Sequence, residues 1–388
     1  MTKTSANLKI FLFAILGALS TSAAALIPNP PNIAADSYVL VDFKSNQILA
    51  SKNPDKRIEP ASLTKMMTTY LIDTELSAGR IKPTDLVRVS ENAWHAEGSR
   101  MFAQVGYQIA VQDLLRGIII QSGNDASIAM SEHIAGNEIA FTELMNDHAK
   151  RLGMKNTHFM NATGLSHPDH YTTARDLSIL SRALIRDFPH SYKLYSEKWF
   201  TFHGIKQPNR NRLLWREDFV DGIKTGHTDA AGYCLAASGQ QKGMRLISVV
   251  LGADTDNART DYSQQLLRYG FRFYETHKLF SATKPLKEAR VWMGDRSKLP
   301  LGLAEDVYVT IAQGQYKKLN AHMTFNTYFE APLQKGKPYG KLNITLGEDT
   351  VVQIPLVALE TVNRSATWRC GPDYLGLTAR KLFNSATS

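Results

Sequence analysis

Apolar runs with strand character stand near both ends of the first 275 residues, and helix-patterned sequence fills the space between them. Residues 38–43 and 47–50 flank Lys44-Ser45-Asn46, a predicted hairpin. Residues 221–226, 233–238 and 244–251 form a second strand group, the last two joined by a turn at 239–243. Between the groups, Leu63, Met66, Met67, Tyr70 and Leu71 recur at helical spacing just after Pro60, predicting one buried helix face. Leu114, Leu115, Ile118 and Ile119 mark a second helix. A third, capped by Asn124 or Asp125, runs through Met130 to Ile134 and stops at Gly136. Thr173-Ala174-Arg175-Asp176 opens a fourth through Leu177, Leu180 and Leu184, and residues 264–274 read as the last. Strands from opposite ends of a segment can share one antiparallel sheet with helices packed on it. The expected fold class is α+β.

The chain has 388 residues, more than one hydrophobic core usually organises, so two folded units are expected. The character changes near Thr276. Alternating runs at 289–293, 306–311, 321–328, 341–346 and 351–355 are separated by Gly, Pro and Lys turns and predict a small all-β unit. The division is an α+β unit over 35–276 and a β-rich unit over 277–365.

Residues 1–25 stand apart. Lys3 and Lys9 accompany an apolar run at 10–19, too short to span a bilayer, and Ser22-Ala23-Ala24-Ala25 offers cleavage after Ala24 or Ala25. This is the pattern of a secretory signal peptide. Losing Lys3 and Lys9 takes the formal charge of +9 down by two, to +7, with the cations spread along the chain. Nucleic acid is not an expected partner of an exported chain. A basic surface suits an anionic polymer or anionic lipid instead. Cys234, in Tyr233-Cys234-Leu235-Ala236, reads as a buried strand residue, and no bond from it to Cys370 is expected.

Three motifs sit on this frame in order: Ser62-Leu63-Thr64-Lys65, Ser122-Gly123-Asn124 and Lys224-Thr225-Gly226. A serine hydroxyl is a weak nucleophile until a base takes its proton. Ser62 and Lys65, at i and i+3 on one helix, share a face from which Leu63, Met66 and Met67 turn away. Burial or a nearby cation lowers a lysine pKa and makes it a base, and Lys224 is the expected second cation. The helix N-terminus places the Ser62 N–H where an oxyanion can be stabilised. A hydroxyl at Ser122 can relay a proton to a leaving amine. The Asn124 amide can hold a substrate amide by donor and acceptor together, and Gly123 permits close approach. Lys224 beside Thr225 suits a terminal carboxylate, and Gly226 leaves room for an extended peptide along the strand edge. Singly these are an N-cap with a solvated lysine, a turn, and an edge-strand cation; the ordered set carries the reading.

At these residues the chain resembles the low-molecular-weight penicillin-binding proteins, specifically the D-alanyl-D-alanine carboxypeptidases of Gram-negative bacteria. The likeness extends to Ile120-Gln121-Ser122-Gly123-Asn124-Asp125-Ala126, to Leu152-Gly153-Met154-Lys155-Asn156-Thr157-His158-Phe159 and to Asp221-Gly222-Ile223-Lys224-Thr225-Gly226-His227-Thr228. It continues through 269–276 and, in the β-rich unit, Ala331-Pro332-Leu333-Gln334-Lys335. The resemblance implies a serine peptidase that removes the terminal D-alanine from peptidoglycan stem pentapeptides through an acyl-enzyme. It implies acylation by β-lactams and no cofactor or metal. It makes Ser62 the nucleophile, Lys65 its base, Ser122 the proton relay and Asn124 a substrate-amide ligand. Lys224, Thr225 and Gly226 would meet the terminal carboxylate, and the backbone N–H groups of Ser62 and His227 would form the oxyanion hole. Arg210 and Arg259 fall where the family has arginines near that carboxylate. The stretch 94–101 reads as shorter than the family's active-site loop.

Other readings are weaker. A class A β-lactamase would carry Ser-Asp-Asn and a deacylating glutamate, but Gly123 holds the middle place and Glu143 lies too close to Ser122. A DD-endopeptidase or a weak β-lactamase on the same scaffold stays open. Intact Ser62, Lys65 and Lys224 oppose a non-catalytic peptidoglycan or penicillin receptor. No His, Cys and Glu cluster has the spacing of a zinc peptidase. From Asp373, the tail places Tyr374, Leu375, Thr378, Ala379, Leu382 and Phe383 on one helical face beside Arg380 and Lys381. That predicts a short amphipathic segment over 370–388, peripheral on anionic lipid. The expected location is the periplasm, on the outer side of the inner membrane.

Overall fold

The computed structural model describes residues 27–365. The signal-peptide residues 1–25, Cys370 and the tail 370–388 lie outside the described residues.

Strands β1 (Ser37–Asp42) and β2 (Ile48–Lys52) form the expected hairpin, with Leu40 opposite Ala50. Strands β3 (Val220–Thr228), β4 (Gly232–Gln241) and β5 (Met244–Ala253) complete a five-stranded antiparallel sheet in the order β2-β1-β5-β4-β3. The two sequence ends meet where β1 pairs with β5, Val39 opposite Val249. Alternation divides the side chains between two cores. Val39, Val41, Ile247 and Val249 enter the core shared with α1 (Lys65–Ser77), α2 (Asn124–Ala135), α3 (Glu138–Leu152) and α4 (Ala174–Asp187). Tyr38, Leu40, Leu246 and Val250 enter the core on the other face, against α5 (Asp256–Phe273).

Helix α1 departs from the expected single buried face. Every residue from Lys65 to Asp73 is buried. Its polar side chains find partners inside the protein, which periodicity cannot reveal. Thr68 Oγ1 donates to Ala162 O at 2.7 Å, and Thr69 Oγ1 lies 2.7 Å from the Tyr195 hydroxyl. Helix α2 is capped by Gly123, not by Asn124 or Asp125. The Asp125 carboxylate instead accepts the N–H groups of Met101, Ala103 and Ala126 at 3.0, 3.0 and 2.9 Å. Helix α5 begins at Asp256 rather than Gln264. The Thr255 hydroxyl caps it by accepting from Ala258 N–H at 3.0 Å, and its polar first turns hid that start.

The C-terminal part is all β. Strand β6 (Tyr274–Phe280) follows α5 directly. Then come β7 (Lys287–Trp292), β8 (Lys298–Gly302), β9 (Val307–Ala312), β10 (Leu319–Phe325), β11 (Tyr328–Glu330), β12 (Pro338–Leu346) and β13 (Asp349–Ala358). β6 pairs with β9, and the rest form a sheet in the order β10-β12-β13-β8-β7-β11. The run expected at 321–328 is two strands, β10 and β11, on opposite edges of this sheet. Strand β8 was missed because Pro300 interrupts its alternation of Leu299 and Leu301. A polar clasp joins the two parts: Thr276 Oγ1 donates to Asp42 at 2.7 Å, and Ser45 Oγ lies 2.6 Å from Thr310 Oγ1. Among the described residues, no helix is long and apolar enough to cross a membrane.

Candidate active site

Ser62 stands on a 3-10 turn, Ala61–Thr64, between Pro60 and α1. It precedes the α-helix rather than lying on it. Ala61 has φ +48°, in the left-handed region. Two glycines press on this turn. A Cβ on Gly164 would lie 1.9 Å from Ala61 O, and Gly164 itself has φ +87°, so only glycine fits. A Cβ on Gly226 would lie 3.2 Å from Ser62 N, so bare β3 backbone sits against the serine.

Lys65 is fully buried. Its Nζ donates to Ser62 Oγ at 3.1 Å and to Thr163 O at 2.5 Å. Asn161 shapes the loop that aims this carbonyl. Asn161 Oδ1 accepts from Thr163 N–H at 3.2 Å, Thr163 Oγ1 at 3.0 Å and Gly164 N–H at 2.7 Å. Burial, then the Arg210 charge, push the Lys65 pKa down to about 7, against the opposite pull of Asp125 and Glu138.

Ser122 ends a single π-helical turn, Gly117–Gln121, and is buried in the left-handed conformation at φ +62°. Strain of that kind collects where a structure needs one side-chain direction. Here the hydroxyl accepts from Lys224 Nζ at 2.9 Å. Lys224 also donates to Thr225 O at 3.0 Å. Burial, then Lys65, Arg210 and Arg259, hold the Lys224 pKa well below its usual value. Asn124 is pinned by its N–H to Ser99 O at 2.7 Å and by its Nδ2 to Glu97 O at 2.5 Å. Its Oδ1 is buried and has no hydrogen-bond partner among the described residues. A buried acceptor left open in this way suits a substrate N–H.

Two family models match the chain. The one described as D-alanyl-D-alanine carboxypeptidase covers residues 24–255, and that of the penicillin-binding protein 5 C-terminal domain covers 274–364. The chain belongs to the D-alanyl-D-alanine carboxypeptidase family. It is 46% identical over 345 residues to D-alanyl-D-alanine carboxypeptidase DacA of Escherichia coli strain K12, spanning 87% of this chain and 86% of that one. The crystal structure of penicillin-binding protein 5 from Haemophilus influenzae matches with TM-score 0.84 and 44% identity, over 87% of this chain and 100% of that one. Penicillin-binding protein D2 of Listeria monocytogenes, solved in an ampicillin-bound form, matches with TM-score 0.58 and 30% identity, over 62% of this chain and 100% of that one.

In this carboxypeptidase Arg210 joins Lys224, the second cation the sequence suggested, in opposing a charge on Lys65. The repulsion between the two lysines is mutual; Lys224 also faces Arg210 and Arg259, whereas Lys65 also feels the carboxylates of Asp125 and Glu138. Arg210 Nε donates to Gln121 O at 3.1 Å, beside Ser122. Arg259 is committed to protein partners: Nη1 donates to Gly226 O at 2.7 Å and Cys234 O at 3.3 Å, and Nη2 to Asp256. Both arginines line a cavity of about 530 Å³ with His227, Tyr233 and Trp215. The His227 and Tyr233 rings lie against each other at 3.9 Å between centroids.

Thr163, Asn161 and Gly164 escaped the sequence reading. The Asn161-Ala162-Thr163-Gly164 turn chemistry was the available signal. Cys234 is buried and free. Among the described residues, no group of three or more His, Cys, Asp or Glu side chains is placed to hold a metal ion.

Proposed function

We propose that Ser62, with neutral Lys65 as its base, attacks the carbonyl of the penultimate D-alanine of a stem pentapeptide. The C–N bond breaks, the terminal D-alanine leaves with a proton relayed through Ser122, and water hydrolyses the resulting ester. One observation carries this reading: the buried Lys65 Nζ, with its pKa brought to about 7, lies 3.1 Å from Ser62 Oγ. The N–H groups of Ser62 and His227 serve the oxyanion, and the open Asn124 Oδ1 takes a substrate N–H. Lys224, Thr225 and Gly226, with Arg210 and Arg259 behind them, receive the terminal carboxylate. Lys65→Arg tests the base role. It keeps a cation but loses the titratable amine, so acylation is expected to vanish. Near-normal acylation would move that role elsewhere.

β-Lactams acylate the same serine in this reading, because opening the ring releases no amine and leaves the ester in place. The ampicillin-bound Listeria relative supports this. The unit 35–276 binds and cuts the peptide, and the β-rich unit 277–365 follows it. The signal-peptide pattern supports export to the periplasm. The amphipathic pattern from Asp373 supports weak, salt-sensitive docking of the tail on anionic lipid, over a screening length of about 8 Å. Flotation with anionic liposomes tests it. A chain ending at Arg369 should partition less than the full mature chain, and equal partitioning would exclude the tail as an anchor.

A further inference from the structure

Three exposed large apolar side chains, Tyr107, Trp199 and Trp215, stand along one rim of the cleft. The centre of this rim is a two-stranded ribbon, Trp199–Phe202 with Ile205–Pro208. Trp199 lies opposite Pro208, and Thr201 opposite Lys206. Alternation sends Phe200 and Phe202 toward the helical core and leaves Trp199, Lys206 and Pro208 facing out. Trp199 is 49% exposed and Trp215 41%. Their rings meet edge to face at 6.0 Å, and Lys206 Nζ stands 4.9 Å from the Trp199 ring. At the ribbon tip, His203 meets Tyr107 at 5.2 Å.

The platform is continuous with the substrate cavity. Trp215 and Pro208 line the same 530 Å³ space as Arg210, His227 and Arg259. Two half-exposed tryptophans backed by a cation, beside a cleft, mark an interaction surface rather than scattered surface apolarity. We infer that this face binds the glycan strands of peptidoglycan, with the apolar faces of hexosamine rings on Trp199 and Trp215 and Lys206 meeting their oxygens. The inference rests on the carboxypeptidase reading, which brings polymeric peptidoglycan to this rim. The platform borders the arginine end of the cavity, the end assigned to the leaving D-alanine. A five-residue stem spans at most about 18 Å, and with its terminal carboxylate at the arginines, as proposed above, the rest of it runs from Ser62 away from that end. The sugar on the platform therefore belongs to an adjoining strand, not to the one whose peptide is being trimmed.

The test compares wild type, Trp199→Ala and Lys206→Glu on a soluble pentapeptide, on purified sacculi and on anionic phosphatidylglycerol vesicles. D-Alanine release from the pentapeptide should stay within about twofold of wild type, which also reports an intact fold. Release from sacculi, and co-sedimentation with them, should fall about fivefold for Trp199→Ala, as loss of one stacking contact predicts. Lys206→Glu, an exposed ribbon change, should lower both in the same direction. Equal ratios of sacculus to pentapeptide activity in all three proteins would overturn the inference. Loss of vesicle binding with sacculus binding kept would also overturn it and assign the face to a membrane. Failure of the wild-type protein to release D-alanine from the pentapeptide would overturn the underlying reading, and this one with it.

Discussion

Lys224 donates from Nζ to the Ser122 hydroxyl at 2.9 Å, tying β3 to the left-handed residue that precedes α2. Because the lysine supplies the hydrogen, the Ser122 hydroxyl keeps its own hydrogen for a departing amine. Ser122→Ala should leave the fold intact and slow acylation by roughly 10²–10⁴-fold, the usual worth of a positioned proton-transfer group. Stopped-flow acylation with a chromogenic β-lactam reads this directly. A rate near wild type would remove Ser122 from the proton path.

Acylation needs neutral Lys65, so its second-order rate should rise with pH through about 7. Arg210 is one cation that favours the neutral form. Arg210→Ala removes it, so the Lys65 pKa rises and the rising limb moves to higher pH. Arg210→Lys keeps a positive charge and should hold the limb nearer its place. A limb that stays put in Arg210→Ala would assign the lowered pKa to burial and Lys224 without Arg210.

The catalytic constellation was legible because its members lie within short contiguous motifs and their chemistry depends on residue type. Their company mattered, since Ser281-Ala282-Thr283-Lys284 is a second Ser-x-x-Lys, in the β-rich part. The sheet was legible from the apolar runs at both ends. What was hidden runs through backbone atoms or burial. The Thr163 carbonyl against Lys65 has no residue-type signature. The all-round burial of α1 from Lys65 to Asp73 runs against its polar residues and follows from partners such as Ala162 O and Tyr195, far away in the chain. The arginine acting on Lys65 sits between two buried asparagines, Asn209 and Asn211, and only the folded chain brings it beside Gln121.

Gly164 offers a test of geometry apart from chemistry. A methyl group there would meet Ala61 O at 1.9 Å on a backbone with φ +87°. Gly164→Ala should displace the turn bearing Ser62 and slow acylation while leaving Ser62, Lys65 and Ser122 in the sequence. It should also lower the melting temperature, because a left-handed position disfavours alanine. Unchanged acylation kinetics would show that the turn tolerates movement.

Asp73 is a buried carboxyl on α1 whose pKa burial raises to about 7. Between the unfolded value near 3.9 and that folded value, folding takes up a proton, so this group's contribution to stability falls as pH rises. The loss begins above about pH 4 and is complete above about pH 7, with a ceiling of about 4 kcal/mol. Asp73→Asn does not titrate. Its stability relative to wild type should therefore grow between pH 5 and pH 8, read as the difference in denaturant midpoint. A constant difference would show that Asp73 ionises normally in the folded protein.

The most direct measurement is intact mass followed by peptide mapping after incubation with benzylpenicillin, paired with D-alanine release from a D-Ala-D-Ala pentapeptide. One adduct per chain, mapped to Ser62, with both adduct and D-alanine release absent from Ser62→Ala, is the expected result. An adduct on another residue, or D-alanine release that survives in folded Ser62→Ala, would contradict the account.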